Sequence, residues 1–224
     1  MTVISISGEI GSEEVRIAEH VARTLGFHLA DRKVIGEILK QYGFVEFGKY
    51  YDSPAGLWSH LSQEEDQRSR MVDMLNRVIQ ALAYHGHVVI DARSGFAVLS
   101  GLGNVLNVRI EAPISVRIKR VMEQQKLADP AQAEEIVKES DEARTGFVRW
   151  YYGTRGDRAE AFDLVIDTGK IAPELATTWL VEATRALEAK KGDDAYSSTE
   201  TIQVDSILAS TVSEQLKCEV AHAA

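Results

Sequence analysis

Residues 3–26 read VISISGEIGSEEVRIAEHVARTLG, a β-branched run, a glycine turn and an apolar period of helical spacing in succession. Val3 to Ser7 is a short run rich in β-branched residues, ended by Gly8, which is the pattern of a buried strand. Gly11 and Ser12 make a turn. Val15, Ala18, Val21, Ala22 and Leu25 then recur at helical spacing until Gly26 stops the helix. Ser12 is the expected N-cap, and Glu13 and Glu14 suit a first helical turn. A strand, a glycine loop and a helix make an anion site by simple physics. The first helical N–H groups have no partner, they point at the ligand, and the helix dipole adds partial positive charge.

The full phosphate-loop pattern is G-x-x-x-x-G-K-[ST]. From Gly8 this chain reads G-E-I-G-S-E-E-V, so Glu13 stands for the second glycine, Glu14 for the lysine and Val15 for the hydroxyl residue. Two unit charges about 5 Å apart interact by about 3 kcal/mol at an effective dielectric of about 20. Exchanging lysine for a carboxylate swings the binding of one phosphate charge by about twice that. Ordinary ATP cradling is disfavoured unless Glu14 turns away or Mg2+ intervenes. The plainer reading is that Gly8 and Gly11 only end a strand and turn the chain.

Further strands are expected at Phe27 to Ala30, His87 to Asp91, Val105 to Glu111 and Phe162 to Asp167. Helices are expected between them: from Asp31 as cap to about Lys40, from Gln63 to Tyr84, from Pro113 to about Gln125, and from Pro173 to Ala189. Gly43 to Leu57 reads as loop or short helical pieces. Strands alternating with helices imply a three-layer α/β/α fold with a mostly parallel central sheet. Residues 1–190 are expected to form this domain. Residues 191–224 read as a polar linker and an amphipathic C-terminal helix with Ile202, Ile207, Leu208, Val212 and Leu216 on its face. That helix packs either on another subunit, as in a homodimer, or on its own domain.

HVVIDARSGF (His87 to Phe96) delivers Asp91 and Arg93 to the carboxyl end of a strand, where α/β sheets bind ligands. Asp91 is a candidate Mg2+ ligand through water, and Arg93 can fork onto a phosphate. PISVRIKRVME puts Arg117 and Arg120 on one helical face. EARTGFVRWYYGTRGDR adds Arg144, Arg149, Arg155 and Arg158 in a polar segment expected as a helical hairpin. It reads as a lid over anions, about residues 124–158, or as a solvated helix with paired charges.

These segments resemble the cytidylate-kinase-like family, a branch of the P-loop nucleoside monophosphate kinases. VISISGEIGSEEVRIAEHVARTLGFHLADRKVI resembles the family's opening, whose loop tends to read G-S-G-G and already lacks the lysine. Asp31-Arg32 matches the aspartate-arginine pair after the second strand. VVIDARSGF resembles the strand that ends near a phosphate-binding arginine, here Arg93. ISVRIKRV resembles the helix leading into the lid, and ARTGFVRWYYGTR with FDLVIDTGKI resembles the lid and final strand with its Asp167-Thr168 turn. The resemblance spans roughly residues 2–188 and departs at Glu13 and Glu14. It implies ATP and Mg2+ as cofactors and a P-loop nucleoside-kinase-like fold. Asp91, Arg117, Arg144 and Arg149 are then the catalytic candidates, with Asp91 on the metal. Gly8, Gly11, Ser12, Glu13, Glu14, Val15, Asp31, Arg32, Arg93, Arg120 and Arg155 are the phosphate- or nucleotide-binding candidates.

The formal net charge of −9 argues against a nucleic-acid polymer or an anionic membrane as partner. The single cysteine, Cys218, precludes an internal disulfide framework. The opening is apolar only briefly and has no basic leader, and no run is long enough for a membrane helix, so a cytoplasmic setting is expected. His28, His60, His85 and His87 lack metal-ligand spacing with any cysteine, and His85 and His87, which flank a strand start, read as surface or structural. Trp58, Trp150 and Tyr151 read as core before base-stacking, and Tyr50-Tyr51 as a possible acceptor wall. Three functions remain open: a phosphotransferase acting on CMP or a similar small acceptor, an inactive nucleotide or phosphometabolite sensor, and a structural or interaction protein with a vestigial pocket.

Overall fold

Val3–Gly8 (β1) lies at the centre of the fold, and its residues alternate between two cores. Ile4 and Ile6 face one side with Val89, Val108, Ile110, Ile166, Ile17, Val21 and Leu180, whereas Val3 faces the other with Val88, Ile90, Ile38, Leu75, Ile79 and Leu82. A strand buried on both faces is the signature of a parallel sheet covered by helices. The computed structural model describes residues 1–52, 62–153, 158–190 and 196–220. Five strands pair in the order β2-β3-β1-β4-β5, all parallel, with β2 His28–Ala30, β3 Val88–Asp91, β4 Val105–Glu111 and β5 Leu164–Asp167.

Helices α1 (Glu14–Leu25) and α8 (Pro173–Ala189) cover one face. The other face is covered by α2 (Arg32–Gln41), α3 (Phe47–Asp52), α4 (Ser62–His85) and the short α5 (Gly95–Val98). Ser5 and Ser7 turn toward this second face, where a small side chain is needed: a Cβ on Gly95 would lie 2.3 Å from Ser5 Oγ. Helix α2 starts where Asp31 accepts from Val34 N–H at 2.8 Å. Helix α6 (Ile114–Gln125) and α7 (Pro130–Tyr152) pack on each other through Val121, Ala133 and Val137, and Ile10 of the first loop inserts beside them.

The elements fall close to their expected places; His87 and Phe162 precede β3 and β5 rather than opening them, Ile202 precedes the C-terminal helix, and further corrections follow. Phe27 is not in β2, because its N–H closes the end of α1 on Ala22 C=O at 2.9 Å. Ser12 does not cap α1. The capping position is Glu13, held in the left-handed region at φ 71 with no side-chain cap, the place a glycine would take without strain. Residues 130–152 form one helix with a buried face of Ala133, Val137, Ala143, Phe147 and Val148, and residues 154–157 of the segment expected as a hairpin lie outside the described residues. Ile207 is exposed on the C-terminal helix α9 (Ser206–Val220), whose inward face is Leu208, Val212 and Leu216.

The C-terminal segment docks on its own chain. Gly103 N–H donates to Ser197 C=O at 2.9 Å, and Asn104 holds both Thr199 and the Met1 carbonyl. Leu208, Val212 and Leu216 then enter the core formed with α2 and α4. Leu216→Ala should lower the unfolding free energy by about 3 kcal/mol through lost burial and a residual cavity. Urea unfolding measures this; a loss below about 0.5 kcal/mol, the size of an ordinary surface change, would mean that α9 is not part of the cooperative core.

Candidate functional site

The loop after β1 is anchored before it is functional. Ser12 N–H donates to Glu9 C=O at 2.9 Å, and Glu9 N–H donates to Ser12 Oγ at 3.2 Å. Gly11 has φ +77, and a Cβ there would meet the Arg117 carbonyl at 2.9 Å. Arg120 grips the loop from α6, donating to Gly11 C=O at 3.0 Å and to Thr168 Oγ1 and C=O at 3.0 and 2.9 Å. Thr168 Oγ1 donates in turn to Ser12 C=O at 2.8 Å. The bend is thus fixed to the end of β5.

Glu14, the first residue of α1, folds back over this loop. Its Cβ would lie 2.4 Å from a Cβ on Gly8, so only glycine fits there. Its carboxylate accepts from Ser12 Oγ at 2.8 Å. Burial pushes the Glu14 carboxyl above its ordinary range, opposed by the Ser12 hydroxyl, by its own backbone amide and by the Arg144 charge. A carboxylate of the chain itself therefore takes donors that a phosphate would use in an anion nest. Glu13 points elsewhere, to Arg16 at 3.5 Å and Gln124 at 3.4 Å.

A cleft of about 470 Å³ opens at the carboxyl ends of β1 and β3, lined among others by Gly8, Glu14, Val15, Arg32, Tyr51, Asp91, Arg93 and Arg144. Arg93 is tied to α3: its backbone N–H donates to the Tyr51 hydroxyl at 2.8 Å, its guanidinium to the Tyr51 carbonyl, and that guanidinium lies 4.6 Å from the Tyr51 ring centre. Arg144 comes down from α7, 5% exposed, and donates to Ser7 Oγ at 2.9 Å. Its Nε has no hydrogen-bond partner among the described residues. Burial brings the Arg144 guanidinium down to about 10, with the nearby Arg109 charge adding to the effect. Asp91 at the end of β3 is pushed up to about 8, first by burial and then by repulsion from Glu14, Asp31 and Glu19.

The sequence profile of the cytidylate kinase-like family matches residues 3–170. The chain belongs to the cytidylate kinase-like family. It is 29% identical over 178 residues to a cytidylate kinase of Ignicoccus hospitalis, covering 78% of this chain and 94% of the other. It is 24% identical over 192 residues to a cytidylate kinase of Halobacterium salinarum, covering 85% and 93%. A solved structure of a Eubacterium ventriosum protein superposes with a TM-score of 0.66 at 20% identity, over 83% of this chain and 99% of that one, which shows the shared fold.

The candidate residues of this cytidylate kinase-like chain occupy different places in the fold. Gly8, Glu14, Val15, Arg32, Asp91, Arg93 and Arg144 line the cleft. Gly11, Ser12 and Arg120 build the loop behind it, and Asp31 caps α2. Arg117 is enclosed by acids: it meets Asp141 through two nitrogens at 2.9 and 2.7 Å, Glu9 at 3.4 Å and the Ala112 carbonyl at 3.1 Å. It is therefore turned from the cleft rather than toward a transferring group. Arg149 is exposed near the end of α7 and does not line the cleft; Arg155 lies outside the described residues. Sequence reasoning missed Glu9 and Arg109, paired at 2.8 Å, and Asp141. A charged residue inside the apolar run VLNVRIE was the available signal for Arg109. Tyr51 lines the cleft as an acceptor wall would, while Trp150 is exposed on α7. Among the described residues no three His, Cys, Asp or Glu side chains gather as a metal cage, and no helix is long and apolar enough to cross a membrane.

The Asp91 carboxyl gives a pH test. Folded, it holds its proton to about pH 8; unfolded, it loses it in the ordinary carboxylate range. The folded chain binds the extra proton between those limits, so stability falls as pH rises across them. Asp91→Asn should melt several degrees above the parent near pH 8, at roughly 2–4 °C per kcal/mol, with the gap closing toward about pH 4. Melting curves that shift in parallel at every pH would contradict this.

Proposed function

We propose that this chain is a phosphotransferase that moves the γ-phosphoryl group of ATP, with Mg2+, to CMP or a similar small acceptor. The observation that carries the reading is the Nε of Arg144, which has no hydrogen-bond partner among the described residues and is buried in the cleft that Arg32 and Arg93 also line. A buried donor without a partner is costly, and an anion entering the cleft supplies the missing acceptor. Arg93, steadied by Tyr51, and Arg32 hold the acceptor's phosphate. Arg144 faces the oxygens on which charge accumulates as the γ-phosphoryl group passes over. An acceptor phosphate oxygen forms the new bond to the γ-phosphorus while its bond to the β-phosphate oxygen breaks and ADP leaves. Positioning and charge stabilisation are the protein's share of such chemistry.

The residues present fit Mg2+. Asp91 and Glu14 bring two carboxylates to one cleft, and Mg2+ is usually held by one or two carboxylates with water and substrate phosphate completing the shell. When bound, the ion neutralises phosphate charge during transfer.

A second reading is an inactive sensor of a nucleotide or phosphorylated metabolite. Glu14 favours it, since its carboxylate holds the Ser12 hydroxyl at the start of α1. The interaction-protein reading loses its main support, because the inward face of α9 is buried in its own core.

Turnover with ATP, Mg2+ and a panel of nucleoside monophosphates tests the proposal. We expect transfer to at least one acceptor, and a loss of about 100-fold or more in Arg144→Ala with the melting temperature checked in parallel. Absence of turnover with every acceptor contradicts it; nucleotide binding by calorimetry in that case supports the sensor.

A further inference from the structure

Helix α7 is held in two places by apolar contacts. Its first half packs on α6 through Ala133 and Val137 against Val121, and its second half enters the main core through Phe147 and Val148. Asp141 lies between these contacts, one turn before Arg144 and on the same side of the helix. Arg117 of α6 is 5% exposed and takes Asp141 through a fork of two nitrogens at 2.9 and 2.7 Å. The same guanidinium is fixed by the Ala112 carbonyl at 3.1 Å and by Glu9 of the loop after β1 at 3.4 Å. Glu9 is fixed in turn by Arg109 at 2.8 Å. A planar fork on a planar carboxylate sets direction as well as distance. The loop, α6 and α7 are therefore tied together one turn from the cleft guanidinium of Arg144, which meets Ser7 at 2.9 Å.

We propose that Asp141 is a positioning residue: gripped by Arg117, it sets the axial position and rotation of α7 at which Arg144 faces the cleft. This rests on the phosphate-transfer reading above, in which Arg144 meets the transferring group. The apolar contacts on either side hold α7 against its neighbours, but they are non-directional and leave small slides and turns open. The fork removes that freedom. A displacement of about 1 Å at a charge-stabilising group can cost about 100-fold in rate. The Asp141 carboxylate is committed to Arg117, and its effect on the ligand runs through the helix.

Asp141→Asn keeps the shape and breaks the fork, because one acceptor oxygen becomes an NH2 donor facing a donor. Hydrogen exchange at the Arg144 Nε–H of the full chain, followed by NMR without nucleotide, reads the positioning directly. It should quicken by about tenfold or more while the backbone amide of Ile6 in β1 keeps its rate, as local loosening requires. In steady-state turnover kcat should fall by about tenfold or more with KM held within about twofold. The same substitution should cost nothing further in an Arg144→Ala background. Arg117→Lys, which keeps the charge and loses the fork, should act like Asp141→Asn. Glu142→Gln, at the exposed neighbouring position of α7, should change none of these values. Arg144 exchange at the parent rate in both fork variants would overturn the proposal. So would an equal fall in kcat with and without Arg144, or exchange at Ile6 quickening as much as at Arg144. A parent that turns over no acceptor removes the phosphotransfer reading and leaves the exchange result to decide the positioning.

Discussion

A guanidinium taken out of water must meet negative charge or hydrogen-bond acceptors, and much of this molecule's polar interior follows from that requirement. Arg109, Arg117 and Arg144 are all 4–5% exposed; the first two meet Glu9 of the loop after β1, and the third lines the cleft. Arg109 is matched by Glu9 and Glu111, and Arg117 by Glu9 and Asp141. Arg144 has a serine hydroxyl on one nitrogen and no partner among the described residues on Nε. The first two hold structure together; the third leaves a demand that a ligand can meet. This difference in satisfaction, rather than the number of arginines, separates scaffold from site.

The scaffold explains how a loop with two glutamates in sequence keeps the bend of a phosphate loop. Ile10 is inserted between α6 and α7, Arg120 and Thr168 clamp the Gly11 and Ser12 carbonyls, and Glu9 is fixed by two arginines. These contacts make room for Glu13 in the left-handed region, a conformation that costs a non-glycine residue about 1–2 kcal/mol. The bend is therefore set from outside the loop, and the side chains at its tip are left to define what it binds.

The layers of the fold were legible because short apolar runs such as VISIS and HVVID, rich in β-branched residues and flanked by glycine, favour buried parallel strands over helix. Asp31 as a cap was legible because capping is local chemistry. The capping role given to Ser12 failed for the same reason: its hydroxyl is taken by Glu9 and Glu14, two near neighbours with competing claims. Of the site, Asp91 and Arg93 were readable at the end of a strand. The division among the arginines was not, because it depends on which acid each meets in space. Glu9 and Arg109 pair across 100 positions, and Arg144 reaches Ser7 across 137. Spacing along one helix says nothing about such partners.

We propose that the cleft at the carboxyl ends of β1 and β3 is a phosphate site. A crystal structure grown with a nucleoside monophosphate tests it most directly. A phosphate group should lie within hydrogen-bonding distance of Arg144 Nε and of the Arg93 guanidinium, about 2.7–2.9 Å for charge-assisted contacts. Density for the ligand at another surface, with Arg144 Nε still lacking an anionic partner, would contradict it.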